Sequence, residues 1–241
     1  MAIFTEKTKI LELNNKIICT EDKEILNYLL CEKIASTIYK LQTAHFIPAK
    51  IGYKTGLASL NFRKPDAKYF YASQEYFPFR SPYDTFAFLK NFFLFLDLEP
   101  YHKLIDDLLR LISFHIFTGL RDLIDCNLLF QKEIDGFSLA PLYDFVFSFE
   151  NGILEKYHYK SSICIFDLAS EDLIKLLEFY PNFRKYLLFM LEIDMGSFLE
   201  EIKEKNDLEI GELYQNYYLK QDKIKKGFHK KLTFINPFCF L

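Results

Sequence analysis

The chain has 241 residues, half of them apolar, with a formal net charge of −3. The apolar fraction is ample for a buried core, either in one large domain or in two small lobes around a shared cleft. The acidic balance argues against a protein whose main task is to hold nucleic acid, because phosphate binding needs a net basic face.

Cysteine spacing and the length of apolar runs bear on the compartment. The five cysteines stand at positions 19, 31, 126, 164 and 239 without CxxC spacing. This pattern argues against a zinc site or a disulfide framework and favours a reducing compartment. No apolar run reaches the ~18 residues that a membrane span requires, and the first residues lack a basic stretch followed by an apolar one. We therefore expect a cytoplasmic protein without a membrane partner or a direct nucleic-acid partner.

The first part of the chain alternates short β-type runs with one helix. Lys9–Leu13 and Lys16–Cys19 are separated by Asn14-Asn15, a reasonable hairpin turn. Thr20 is a plausible N-cap for a helix through about Leu41, whose apolar positions are spaced to give one buried stripe.

A second hairpin is predicted after this helix. Its strands are Lys50–Tyr53 and Leu57–Phe62, and its turn is predicted at Lys54, Thr55 and Gly56. Residues 63–80 mix aromatic and polar side chains with two prolines, and we expect a connection there.

Two helices are predicted next. Ser81-Pro82 is a good helix start for residues 81 to about 98. A second helix begins near Glu99-Pro100 and carries a broad apolar face to Gly119, which is a natural C′ residue. His115 lies on that face, where a histidine is more often a packed core residue than a base.

The segment from Gly119 to Phe145 contains the residue types that phosphoryl transfer needs. Asp122 stands five residues before Asn127, and Asp144 follows inside Leu142–Phe145. One carboxylate accepts the proton of the substrate hydroxyl, while an Asn and a second carboxylate hold Mg²⁺ ions that neutralise charge on the γ-phosphate. Protein kinases place their base, Asn and second Asp at this spacing. We therefore expect the three side chains to converge on one cleft.

The flanking residues narrow the comparison. The segment resembles the HipA-like Ser/Thr kinases in its order of parts. These are the apolar run Phe114–Gly119, then Asp122 and Asn127, then a short hairpin, and then Leu139–Phe145. In that family an apolar helix runs into a Gly-Asn-x-Asp-x-His-x-x-Asn loop, and a Pro-x-(Tyr/Phe)-Asp segment carries the second metal ligand. Leu120 and Ile124 replace the Asn after the Gly and the His of that loop.

The resemblance implies a fold, a chemistry and partners. The fold is a two-lobed α+β protein-kinase-like fold, with a reduced N-terminal lobe over residues 1–79 and a mainly helical lobe over residues 80–241. ATP and Mg²⁺ are the implied cofactors, with Asp122 as base and Asn127 and Asp144 as metal ligands. A protein hydroxyl is the implied substrate, and a small DNA-binding antitoxin is often the partner in this family.

The resemblance is thinner in the small lobe. No glycine-rich segment precedes the first hairpin, and Tyr28 stands where the family helix has its usual acid, so Glu24 is the substitute one turn earlier. Lys9 and Lys16 are the candidate strand lysines for phosphate, although a strand lysine is often a solvated edge residue. The adenine is expected near Leu60 to Phe62.

Two alternatives stay open at this point. The chain could be a truncated, catalytically inactive kinase-derived module that binds a protein partner through its helical lobe. Within the loop, Asp125 competes with Asp122, since it lies two residues from Asn127 and could cap the loop instead.

The remainder of the chain is predicted to be mainly helical after a β-like run at Phe145–Phe149. Helices are expected from Ser170 to Tyr180, from Pro181 through Phe198, and from about Leu208 to Lys226. The second of these should bury Phe183, Leu187, Met190, Leu191 and Phe198. The local basic cluster is expected to be a solvated face and consists of Lys223, Lys225, Lys226, Lys230 and Lys231.

Overall fold

The computed structural model of the chain describes residues 22–51, 54–59, 62–64, 66–71, 102–118, 129–133, 136–143, 145, 148–149, 177–206, 208, 217–219, 222 and 225–226. These residues form a mixed α+β architecture with small antiparallel sheets. The elements, in chain order, are α1 (Asp22–Thr37), β1 (Phe46–Ile51), β2 (Lys54–Ser59), β3 (Lys68–Tyr71), α2 (His102–Thr118), β4 (Leu129–Glu133), β5 (Gly136–Leu139), α3 (Phe183–Glu192) and α4 (Met195–Asn206).

Helix α1 confirms the first predicted helix, but it is more deeply buried than a one-stripe pattern suggests. Every residue from Ile25 to Cys31 is buried. The helix ends at Thr37 rather than at Leu41, and the Leu41 N–H closes its end by donating to the Ala35 carbonyl at 2.9 Å. Lys40 follows in the left-handed region at φ 56°.

The second hairpin exists, but its predicted turn is wrong. Strands β1 and β2 pair antiparallel from Phe46↔Ser59 to Ile51↔Lys54. The chain therefore reverses between Ile51 and Lys54, and the residues predicted to form the turn lie inside β2. The beginning of β1 was not predicted, because this segment contains Pro48. A two-stranded sheet tolerates a proline, since each of its strands has one unpaired edge.

A three-stranded antiparallel sheet includes part of the stretch that was expected to be only a connection. Strand β3 pairs with β4, and β4 pairs with β5. The pairing of β4 with β5 confirms the short hairpin predicted before Leu139. The β3 segment is short and aromatic, so its strand character depends on β4, a partner distant in sequence.

Helix α2 is the amphipathic helix predicted before Gly119. Its buried side is wide and includes Leu104, Leu108, Leu111, Ile112, Phe114 and Phe117. His115 is fully buried and contacts the Phe114 ring edge-on, with centroids 5.6 Å apart. This placement agrees with a packed core histidine.

The predicted helix after Pro181 is two helices. Helix α3 ends at Glu192, Ile193 is extended at ψ 115°, and Asp194 accepts a hydrogen bond from the backbone N–H of Ser197 at the start of α4. Asp194 thus acts as the cap of a new helix. Leu191, which was expected to be buried, is 41% exposed.

The run after Phe145 is also different from the prediction. Among its described residues, Ser148 and Phe149 form a turn in which the Ser148 N–H donates to the Phe145 carbonyl at 3.0 Å. Phe149 has φ 57°, a left-handed value incompatible with a regular strand.

Lys225 departs from the expected solvated face. Its ammonium donates to the carbonyls of Leu191 and Ile193 at the end of α3, and desolvation lowers its pKa. Lys226 is exposed and pairs with Asp222 at 2.7 Å. Within the described part of the chain, no helix is both long and apolar enough to cross a membrane.

Candidate functional site

The structure describes only part of the predicted site. Phe62 is described with its side chain, and Glu24 lies in α1 with its side chain outside the described set. The other predicted site residues lie outside the described residues, and they are Lys9, Lys16, Leu60, Asp122, Asn127 and Asp144. The convergence expected of the last three is therefore still a prediction.

The segments that flank the predicted catalytic loop are well defined. Helix α2 ends at Thr118, and strand β4 begins at Leu129. The Thr118 carbonyl accepts a hydrogen bond from the Phe149 N–H at 2.5 Å. The chain that follows position 144 is thus tied to the last residue of α2, immediately before the predicted loop.

Tyr143 and Phe145, the neighbours of Asp144, are both buried. Among the described residues, the Phe145 ring has aromatic neighbours from three elements: Tyr28 of α1 at 5.9 Å, Phe46 of β1 at 5.7 Å and Phe114 of α2 at 6.0 Å between centroids. All three contacts are edge-on, the geometry that aromatic quadrupoles favour. This cluster fixes the chain directly after position 144 against the first helix and the first hairpin.

Tyr143 has its own aromatic partner. Its ring stacks on Phe62 with centroids 6.0 Å apart and planes 19° apart. Phe62 in turn meets Tyr69 of β3 edge-on at 6.1 Å. The structure therefore brings Phe62, predicted to lie at the adenine side of the site, into contact with the residue before Asp144.

Backbone hydrogen bonds hold the segment before Asp144 in place. The Ala44 N–H donates to the Leu142 carbonyl at 2.7 Å, and the Leu142 N–H donates to the Gln42 carbonyl at 2.9 Å. They form an isolated parallel bridge between Thr43 and Leu142. The segment that contains Pro141 and Tyr143 is thus anchored to the chain that links α1 to β1.

Tyr28 of α1 stands where the HipA-like kinases have an acid. Its side chain is only 4% exposed and packs on Phe46 as well as on Phe145. Glu32 is the next acid along the helix, and its carboxylate is already bound. One oxygen accepts from the Phe46 N–H at 3.0 Å, and the other lies 2.6 Å from His45 Nδ1. Glu32 is therefore already engaged, and Glu24 is still the acid predicted to grip a strand lysine.

Cys31 is the cysteine whose environment is described. Its thiol is free and buried, and burial raises its pKa well above the usual range. A buried thiol of raised pKa is inert as a nucleophile. Among the described residues no group of three or more His, Cys, Asp or Glu side chains could hold a metal ion.

Comparisons with known proteins assign no family to the chain. No protein-family model matches the sequence, and no curated protein is significantly similar to it.

Proposed function

We propose that the chain is a HipA-like Ser/Thr kinase that transfers the γ-phosphoryl group of ATP to a hydroxyl of a protein substrate. Asp122 is the base for the acceptor hydroxyl, and Asn127 and Asp144 hold Mg²⁺. An Asn amide oxygen and an Asp carboxylate are the hard oxygen ligands that Mg²⁺ takes in nucleotide sites. In this family the partner is often a small DNA-binding antitoxin, and we extend that expectation to this chain.

The packing of Phe145 is the observation that carries the proposal. Kinases follow the metal-binding Asp of the D-F-x element with a Phe whose packing distinguishes active from inactive states, and they require a correctly positioned first helix. Here Phe145 follows Asp144 and contacts α1, β1 and the helix that leads into the predicted loop.

The contact between Phe62 and Tyr143 supports a nucleotide site beside this cluster. It places the chain that follows β2 next to the segment that carries Asp144. An adenine near Phe62 would therefore have its phosphates within a short span of the proposed metal ligand. Lys9 and Lys16 are the lysines proposed to contact phosphate, and Glu24 is proposed to orient one of them.

A second candidate function is favoured by the buried face of α1. Tyr28 contributes aromatic packing where the family has an acid, and Glu32 is held by His45 and the Phe46 backbone. A kinase-derived module without catalysis would need neither a carboxylate nor a lysine there. In that case the chain binds a protein partner through its helical part.

Thermal melting with Mg-ATP separates the two candidates. A ligand at one hundred times its dissociation constant stabilises the folded state by about 2.7 kcal/mol, which corresponds to a rise of about 5–10 °C in melting temperature. The kinase proposal predicts this rise for the unmodified chain and its loss in Asp144→Asn. Asp66→Asn, the same change at an exposed turn, is the matched control and should keep the rise. No shift at millimolar Mg-ATP in the unmodified chain would favour the binding module.

A further inference from the structure

A small cleft lies where three separate parts of the fold meet. It has a volume of about 120 Å³ and is lined by the chain after α1, by α2 and by the β4–β5 hairpin. Gln131 and Ala140 are buried and form its floor, whereas Lys40 and Gln42 are exposed and form its rim. Liquid water occupies about 30 Å³ per molecule, so the cleft has room for about four waters or one small polar group.

The floor of the cleft carries a hydrogen-bond acceptor without a partner. Gln131 is 4% exposed, and its Nε2 donates to the Ser138 hydroxyl across the β4–β5 pairing at 3.0 Å. Its Oε1 is buried and has no hydrogen-bond partner within the described structure. A buried amide oxygen without a partner is unfavourable, so a hydrogen-bond donor supplied from within the cleft is favoured.

A carboxylate lines the same cleft. Asp107 of α2 is half-buried, and burial raises the pKa of its carboxyl group. The nearby Arg110 does not bond to it, because the Arg110 guanidinium donates to Asp106 at 2.6 Å. The Arg110 charge still acts on Asp107 at a distance, but Asp107 makes no hydrogen bond or ion pair with any described residue, so its carboxylate oxygens are available to a ligand.

The positive charge at the rim is already engaged. The Lys40 ammonium donates to the carbonyl of Thr37, the last residue of α1, at 2.6 Å. A cation is stabilised at a helix C-terminus, where carbonyls lack partners and the dipole is negative. This bond holds Lys40 at the helix end, so the ammonium does not engage Asp107 or the Oε1 atom of Gln131.

We propose that the cleft binds a small organic cation, a guanidinium or primary ammonium group, whose N–H groups donate to Asp107 and to Gln131 Oε1. Such a group matches the size of the cleft and gives both acceptors a partner. An anion would face the Asp107 charge. The residues that carry this proposal have no role in the proposed phosphoryl transfer, so its outcome is independent of that function.

Titration calorimetry with methylguanidinium chloride tests the proposal, with neutral methylurea as the isosteric probe. The unmodified chain should bind methylguanidinium with a millimolar dissociation constant and methylurea at least tenfold more weakly. Asp107→Asn should weaken methylguanidinium binding by about tenfold or more, the usual worth of a hydrogen bond to a charged group. Glu200→Gln makes the same charge change at an exposed position of α4 and should leave the affinity unchanged.

Two further variants test the geometry. Gln131→Met keeps the side-chain length but removes the acceptor, so it should weaken binding several-fold. Lys40→Met removes the like charge at the rim and keeps the apolar stem, so it should strengthen binding. Asp107→Asn should lower the affinity for methylguanidinium and Lys40→Met should raise it. These opposite changes distinguish binding in the cleft from binding elsewhere on the acidic surface.

Binding measurements with two peptides identify the source of the cation. Binding of the tripeptide Gly-Arg-Gly, but not of its citrulline counterpart, supports the proposal and assigns the cleft to an arginine side chain of a protein. Binding of methylguanidinium alone supports it and assigns the cleft to a free metabolite. Equal affinity of the unmodified chain and Asp107→Asn for methylguanidinium, or weaker binding by Lys40→Met, would overturn the proposal.

Discussion

Tyr28 of α1 packs edge-on against Phe145, with ring centroids 5.9 Å and planes 64° apart. The contact joins residues 117 positions apart in sequence and links the first helix to the segment that carries Asp144. The two rings also share Phe46 as a neighbour. These ring contacts therefore pack α1 directly against the chain that follows Asp144.

We predict that Phe145→Ala destabilises the fold strongly. Phe145 is 1% exposed and fills the space between three other rings, so its removal leaves a cavity lined by aromatic side chains. A loss of about 3–5 kcal/mol is expected for such a truncation. Urea unfolding measures it, with Phe179→Ala as the matched control, because Phe179 is 60% exposed. Similar losses for the two variants would contradict the described packing.

A second prediction concerns the link between α2 and α3. The Tyr186 hydroxyl donates to Asp106, and the Arg110 guanidinium bonds to the other oxygen of the same carboxylate and lies over the Tyr186 ring. Tyr186→Phe removes the hydroxyl and leaves the ring. The expected loss of unfolding free energy is about 1–2 kcal/mol, the range for a partly exposed hydrogen bond to a charged group.

The control for this variant is Tyr218→Phe, since Tyr218 is 53% exposed. It should change the stability by less than about 0.5 kcal/mol, as surface substitutions do. If chemical denaturation gives Tyr186→Phe the same unfolding free energy as the unmodified chain, the bond between Tyr186 and Asp106 contributes nothing to stability.

A third prediction concerns pH and the ion-pair network between α1 and α4. Glu201 lies between Lys33 at 2.6 Å and Lys205 at 2.5 Å. Hydrogen bonds from Lys205 and then Lys33 lower its pKa from 4.5 to about 2. A depressed carboxyl pKa stabilises the folded state above the unfolded value, and this contribution is lost as the pH falls from about 4.5 to about 2.

The variant Glu201→Gln should therefore be less stable than the unmodified chain at pH 6, and the difference should shrink towards zero near pH 2. Added salt should reduce the difference at pH 6, because the group is exposed and its charge interactions are screened. Glu200→Gln, at an exposed neighbouring position, should show a much smaller dependence. A difference that persists unchanged at low pH would exclude the ion pairs as its cause.

The sequence predicts best those elements whose signals are local. The apolar periods of α1 and α2 are visible within each segment, and the structure confirms both helices. The β4–β5 hairpin was predicted from the resemblance to the HipA-like kinases, and its partner strand β3 was not predicted. Strand pairing across more than fifty residues leaves no local pattern in either partner.

The details that the sequence could not predict depend on contacts between distant segments. The turn of the β1–β2 hairpin lies earlier in the chain than predicted, because β1 already begins at Phe46. Phe46 is held there by Glu32 of α1 and by its ring neighbours. Asp107 and Gln131 meet at one cleft only through the packing of α2 against the hairpin. Asp122, Asn127 and Asp144 lie outside the described residues. Their assignment as catalytic residues rests on their spacing in the sequence.

Phosphoryl transfer from radiolabelled ATP and Mg²⁺ to protein is the most direct test of the proposed function. We expect the purified chain to transfer label to a protein hydroxyl. Asp122→Asn should keep Mg-ATP binding and lower the transfer rate by about 10²–10⁴-fold, the usual contribution of a positioned proton acceptor. Asp125→Asn, the matched change three residues later, should lower it much less. Equal losses in the two variants with Mg-ATP binding intact would contradict the assignment of Asp122, and the absence of any transfer by the unmodified chain would contradict the kinase proposal itself.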